Sequence, residues 1–145
     1  MTSELQYPFT PEQIQGQSYG NLTAFMLGGI AYAKAQGQDG GAFARFMGQK
    51  FSPGWAEISS PREAATAAAL NCASAGMSIV SVVGDETSGE AVTSDWPTAD
   101  FLTLLGLTQE DADHTWEAFG PISQSLGYTY SWRRDGGQLR FTFTK

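Results

Sequence analysis

Glu110, His114 and Glu117 stand at i, i+4 and i+7 in the stretch EDADHTWEAFG, which carries the chain's single histidine. Carboxylate and imidazole at that spacing share a helical face, where they could ligate a metal or act as a general acid/base pair. The same stretch places Ala112, Trp116 and Phe119 at i, i+4 and i+7. At about 100° per residue the two stripes lie about 180° apart. Burying the tryptophan and the phenylalanine therefore turns the histidine to water. The reading is an exposed histidine between carboxylates, with no metal and no cofactor predicted.

Other groups capable of chemistry are sparse. Cys72 sits in an alanine-rich helix with no neighbouring base to lower its pKa, and reads as a small buried residue rather than a nucleophile. No G-x-S-x-G occurs, and the glycine-rich stretches GGIAYAKAQG and GQDGG match neither a phosphate-cradling loop nor a dinucleotide fingerprint. Glu90 and Asp95 flank the end of a strand near Trp96. Buried, either could hold a raised pKa and transfer a proton; solvated, both are strand-end charges.

Aromatic side chains are the stronger signal. Eighteen Phe, Trp and Tyr make up 12% of the 145 residues. They serve either a core packed with large rings, a dimer interface, or an apolar pocket with a few polar tips. For the pocket, the sequence nominates Tyr32, Arg45, Phe46, Trp55, Trp96, Tyr128, Tyr130 and Trp132, with Arg45 and Lys50 available to an anionic group.

Length and charge bound the rest. A chain of this length is most simply one domain, residues 1–145, with 1–9 an irregular lead-in. Residues 85–117 hold nine acids and no Lys or Arg. Arg133, Arg134, Arg140 and Lys145 are too few to displace counterions from a phosphate backbone beside that acidity, so nucleic acid is not an expected partner. No apolar run suits a membrane span, and MTSELQYPFTPEQ lacks the basic start and apolar run of a signal peptide. With one cysteine, the expected location is cytoplasmic.

The elements that must position these groups are legible in part. Thr10-Pro11-Glu12-Gln13 reads as a capped helix start; Gly16 and Gly20 leave room for a short helix followed by a longer one through Gln36. Gly29 and Ala33 lie four apart on one face, which admits a close helix or a ligand. A third helical stretch is expected near Ala42–Phe51, and Ser60-Pro61-Arg62-Glu63 opens an alanine-rich helix that Gly76 stops. MSIVSVVG and EAVTSDW read as strands, Thr98 starts a short helix, Thr108 with Asp111 opens the next, and Gly120-Pro121 kinks or breaks that one.

YTYSW and LRFTF alternate strictly around RDGG. A turn at Asp135-Gly136 would oppose Trp132 to Leu139, Tyr130 to Phe141 and Tyr128 to Phe143. Six apolar side chains then share one face, with Thr129, Ser131, Arg133, Arg140 and Thr142 on the other. The expected fold is α+β: N-terminal helices, then a ββ-α-ββ, mainly antiparallel, four-stranded sheet with helices on its aromatic face.

That element order, with the LGYTYSW…LRFTF ending, resembles the vinyl-reductase-type and aminothiazoline-carboxylate-hydrolase-like small ligand-binding domains over residues 20–145. The resemblance implies a hydrophobic pocket and a dimer. Cysteines common in the second half of those domains have no counterpart, Cys72 being the single one, so no catalytic residue carries over. The expected function is binding of a small apolar or aromatic molecule between helices and sheet, as a sensor or carrier and as a homodimer. The alternatives are a small-molecule enzyme using a carboxylate or Tyr, and a dimeric assembly protein.

Overall fold

The computed structural model describes residues 8–145, so most of the expected lead-in lies outside the described residues. Helix α1 (Pro11–Ala35) is continuous, and Gly16 and Gly20 do not divide it. Its start is the expected capping box, in which Thr10 Oγ1 accepts from the Gln13 amide and Gln13 Oε1 accepts from the Thr10 amide. Helix α2 (Ala42–Phe51) is followed by a 3-10 turn at Ser52–Trp55 and by α3 (Pro61–Ser74). Ser60 caps α3 through the Glu63 amide, but the Glu63 carboxylate accepts from the amide and hydroxyl of Ser59, so that box is only half formed.

Strands β1 (Ile79–Gly84) and β2 (Ser88–Ser94) form the first hairpin. The helical connection to the second hairpin is broken into α4 (Ala99–Leu105), α5 (Gln109–Asp113), a 3-10 turn at His114–Ala118 and α6 (Phe119–Leu126). Gly120-Pro121 does not break α6 but lies inside its first turn, where proline costs no hydrogen bond. Strands β3 (Thr129–Asp135) and β4 (Gln138–Thr144) complete an antiparallel sheet of order β1-β2-β4-β3. The fold is α+β, with α1–α3 preceding the sheet and α4–α6 joining its two hairpins.

The second hairpin departs from its expected register by two residues. Asp135 pairs with Gln138, Trp132 with Phe141 and Tyr130 with Phe143, so the turn is Gly136-Gly137. The left-handed turn position then falls on Gly136, at φ +61°, and Asp135 stays extended within the strand. A two-residue slip preserves the faces. Leu139, Phe141 and Phe143 still point inward and are fully buried.

On that inner face the rings form one packed cluster. Trp116 meets Phe141 and Trp96 edge-on at centroid distances of 5.0 and 5.1 Å, and Phe119 meets Phe141, Phe143 and Tyr130. Edge-to-face geometry of this kind adds to the hydrophobic gain of burying the rings. Small residues let the helices close on it. A methyl at Gly48 would overlap the Ala118 carbonyl, and one at Gly29 would overlap the Phe43 ring, so the bare surface of α1 receives a side chain of α2.

Candidate functional site

Behind the ring cluster, on its side away from the sheet, the helices do not close completely. Two hollows of about 290 and about 320 Å³ lie between α1, α2, α3 and the His114–Ala118 turn. They share Met26, Phe51, Asn71, Thr115 and Ala118 as walls and so form two ends of one cleft. Trp55, Cys72, Trp116 and Phe119 wall one end; Leu22, Phe25, Phe43 and Met47 wall the other. The space follows from the sequence of α3 and its surroundings: Ala75, Gly54 and Ala118 carry too little side chain to fill it.

Thr115 and Trp116 in the cleft wall are 7% and 3% exposed, and their Oγ1 and Nε1 atoms, like Ser123 Oγ outside the cleft, are buried without a hydrogen-bond partner among the described residues. With almost no accessible surface, these atoms face packed neighbours rather than the open space of the cleft. Cys72 stands in the same wall. Burial pushes its thiol up to about 12, which keeps it protonated and unreactive at neutral pH. Asn71 and Ser74 are occupied by their own helix, donating to the carbonyls of Ala67 and Asn71.

A second, open and polar groove of about 840 Å³ runs between α2, α6 and β3, past Arg45, Glu117, Tyr130 and Trp132. Its charges are already matched. Arg45 reaches Glu117 and Asp39 at 3.3 Å each, and Glu117 also holds His114 Nδ1 at 3.0 Å. The expected solvent-facing histidine is therefore half-buried, its ring lying against Gly40. The 3-10 turn explains the change: at about three residues per turn His114 and Glu117 eclipse each other, while Glu110 stays behind on α5 in solvent. Among the described residues no cluster of three or more His, Cys, Asp and Glu could hold a metal ion.

Glu90 and Asp95 are both engaged by arginines. Arg140 donates to Glu90 at 3.1 Å, and Asp95 pairs with Arg134, whose guanidinium also grips Asp113 through two bonds of 2.7 and 3.2 Å. These bonds, led by the one to Asp113, raise the Arg134 pKa. The carboxylates are about one-third and one-half exposed, and neither lines the cleft.

The eight nominated site residues do not converge. Trp55 lines the cleft; Arg45, Tyr130 and Trp132 line the polar groove. Trp96 is buried in the ring cluster, its indole donating to Thr23 at 3.3 Å, and Tyr128 packs against the same core. Tyr32 and Phe46 are largely exposed, with Lys50 Nζ standing 5.4 Å from the centre of the Phe46 ring. Tyr130 turns its hydroxyl inward to the Trp116 carbonyl at 2.8 Å, and burial raises its pKa. No protein-family model matches the chain, and no curated protein is recognisably similar to it in sequence.

Thr115 and Trp116 are the wall residues that a search for catalytic motifs passes over. The signal for Thr115 was present: with Ala112, Trp116 and Phe119 it completes the i, i+3, i+4, i+7 pattern of an apolar stripe, a hydroxyl where a methyl would serve. Among the described residues no helix is long and apolar enough to cross a membrane.

Proposed function

We propose that the protein binds a small, largely apolar or aromatic molecule in the cleft between α1, α2, α3 and the His114–Ala118 turn, as a sensor or carrier. The observation that carries this reading is a predominantly apolar hollow between the helices, walled at one end by Trp55, Trp116 and Phe119 and at the other by Phe25, Phe43 and Met47. Ligand sites are concave and mostly apolar in this way. A core that consumed its aromatics in packing alone would leave no such space. Proton transfer by Glu90 or Asp95 draws no support from the geometry, because arginines hold both outside the cleft.

The homodimer belongs to the same proposal. Phe25, Phe51 and Leu70, each more than half exposed, present apolar surface on the helices around the cleft, and native mass spectrometry reads the stoichiometry directly. The element order resembles that of vinyl-reductase-type domains, which implies a pocketed dimer, and the unpaired Cys72 fits a cytoplasmic location.

The test uses N-phenyl-1-naphthylamine, an uncharged fluorophore that brightens in apolar surroundings. Saturable binding is expected, with energy transfer from Trp55 and Trp116, and its loss in a folded Ala118→Phe variant that fills the wall shared by both ends. Emission that does not saturate, or that Ala118→Phe leaves unchanged, would refute the proposal.

A further inference from the structure

We infer that the free edge of β3 takes up an extended, acidic segment of a partner protein as a fifth strand, laid along the polar groove between β3, α2 and α6. The groove follows that edge. Tyr130, Ser131 and Trp132 are consecutive in β3, and all three line it. Successive side chains of a strand point to opposite faces of the sheet, so what three neighbours present to one groove is their shared backbone rim.

The backbone at that rim is unspent. Asp135 and Gln138 flank a two-residue turn and so bond to each other, which gives Thr129, Ser131, Arg133 and Asp135 their bonds to β4. The amides and carbonyls of Tyr130 and Trp132 then point away from β4, at the outer edge of the sheet. Among the described residues no backbone group beyond the sheet pairs with them. The opposite edge strand, β1, is interrupted by a register shift between Ile79 and Ser81, whereas β3 pairs evenly over its seven residues. Such a bulge guards an exposed edge against a further strand, and β3 carries none.

Side chains set the chemistry of the added strand. Arg133 is exposed on the outer face of β3, opposite Arg140. Glu90 and Asp135 already engage Arg140, and among the described residues no carboxylate forms an ion pair with Arg133. A carboxylate on the facing position of a fifth strand would supply that pair, as cross-strand neighbours do. On the inner face the strand's alternate residues would lie over Trp132 and Pro121, beside the amides of Gln49 and Gln124. The one cation there, Arg45, is matched by Asp39 and Glu117, so that side suits small neutral side chains. The occupant therefore alternates, acidic outward and neutral inward, while main-chain hydrogen bonds hold it to the edge.

Fluorescence anisotropy with the peptide fluorescein-Ser-Thr-Val-Glu-Val-Thr-Ser-amide at low salt tests the inference, with amide hydrogen exchange followed by NMR. Saturable binding is expected, together with slowed exchange at the Tyr130 and Trp132 amides. Methylating both valine nitrogens removes the peptide donors that face β3 and should weaken binding about tenfold or more. Arg133→Gln should weaken the peptide about two- to fivefold, the scale of an exposed ion pair, and a peptide with Gln in place of Glu should bind wild type and variant alike. A peptide that does not bind, or whose methylated form binds as well, would overturn the inference. So would equal affinity of the Glu and Gln peptides for the wild type. Tyr130 and Trp132 amides already protected in the free protein would show that a second copy or the chain itself holds the edge, and would overturn it too.

Discussion

Replacing Thr115 by valine should make the protein more stable. Thr115 is 7% exposed and its hydroxyl has no partner among the described residues. Valine has nearly the same shape and the same β-branched backbone preference, so the substitution exchanges an unpaired buried hydroxyl for a methyl. An unpaired buried hydroxyl costs about 1–3 kcal/mol, and a cleft wall, being less tightly enclosed than a core, sits at the lower end. A gain of about 1–2 kcal/mol is expected. Unfolding entropy near 60 °C is about 2.1 cal/mol/K per residue, or about 0.3 kcal/mol/K for this chain, so Tm should rise by about 3–7 °C. Scanning calorimetry measures the shift, and urea titration should return a higher midpoint with an unchanged slope. A Tm that falls, or does not move, means that Thr115 Oγ1 is satisfied, for instance by bound water. The reading of Thr115 Oγ1 as an unpaired buried hydroxyl would then be wrong.

Three further outcomes follow from the packing and the charges. Gly48→Ala places a methyl against the Ala118 backbone carbonyl, which cannot swing away as a side chain would, and should cost about 1–3 kcal/mol in denaturant titration; a neutral result would show that α2 does not approach that turn so closely. The Asp111 carboxyl is held below its ordinary value: burial, the largest single influence, raises it, but Lys34 at 2.7 Å and the Thr108 amide and hydroxyl together outweigh that. Its folded pKa being the lower one, the stabilisation it gives is present above the unfolded value near pH 4 and is lost as pH falls through the folded value. The stability difference between wild type and Asp111→Asn should therefore vanish in acid, and a difference that persists there would contradict the assignment. Arg134→Met leaves Asp95, Asp113 and the Trp96 carbonyl without their shared donor and should destabilise by about 1–3 kcal/mol, less than for a fully buried pair because the guanidinium is about one-quarter exposed; double-mutant cycles with Asp113→Asn report the coupling.

Local chemistry was legible wherever the deciding partners lie within a few residues. The Thr10–Gln13 and Thr108–Asp111 boxes both form, because a cap is settled inside one turn of chain. Ser59 was missed as the donor to the Glu63 carboxylate, since two neighbouring amides lie within reach of one side chain. Strict alternation in YTYSW and LRFTF determined the faces of the second hairpin, yet not its register, since a two-residue slip leaves the alternation intact and the choice falls to turn geometry and ring packing.

The sequence by itself determined the α+β order of elements, the buried stripe of Ala112, Trp116 and Phe119, and the burial of Cys72. Each of these follows from periodicity or capping, which act along the chain. Only the tertiary structure decided that His114 turns onto Glu117 rather than to water, because a 3-10 turn replaces the helix that the spacing implied. It alone decided that Glu90 and Asp95 are taken up by arginines about forty to fifty residues away in sequence. It alone placed the cleft behind the aromatic cluster instead of against the sheet. A hollow is the space left by helices that meet from distant parts of the chain, and no local pattern records what fails to fill it.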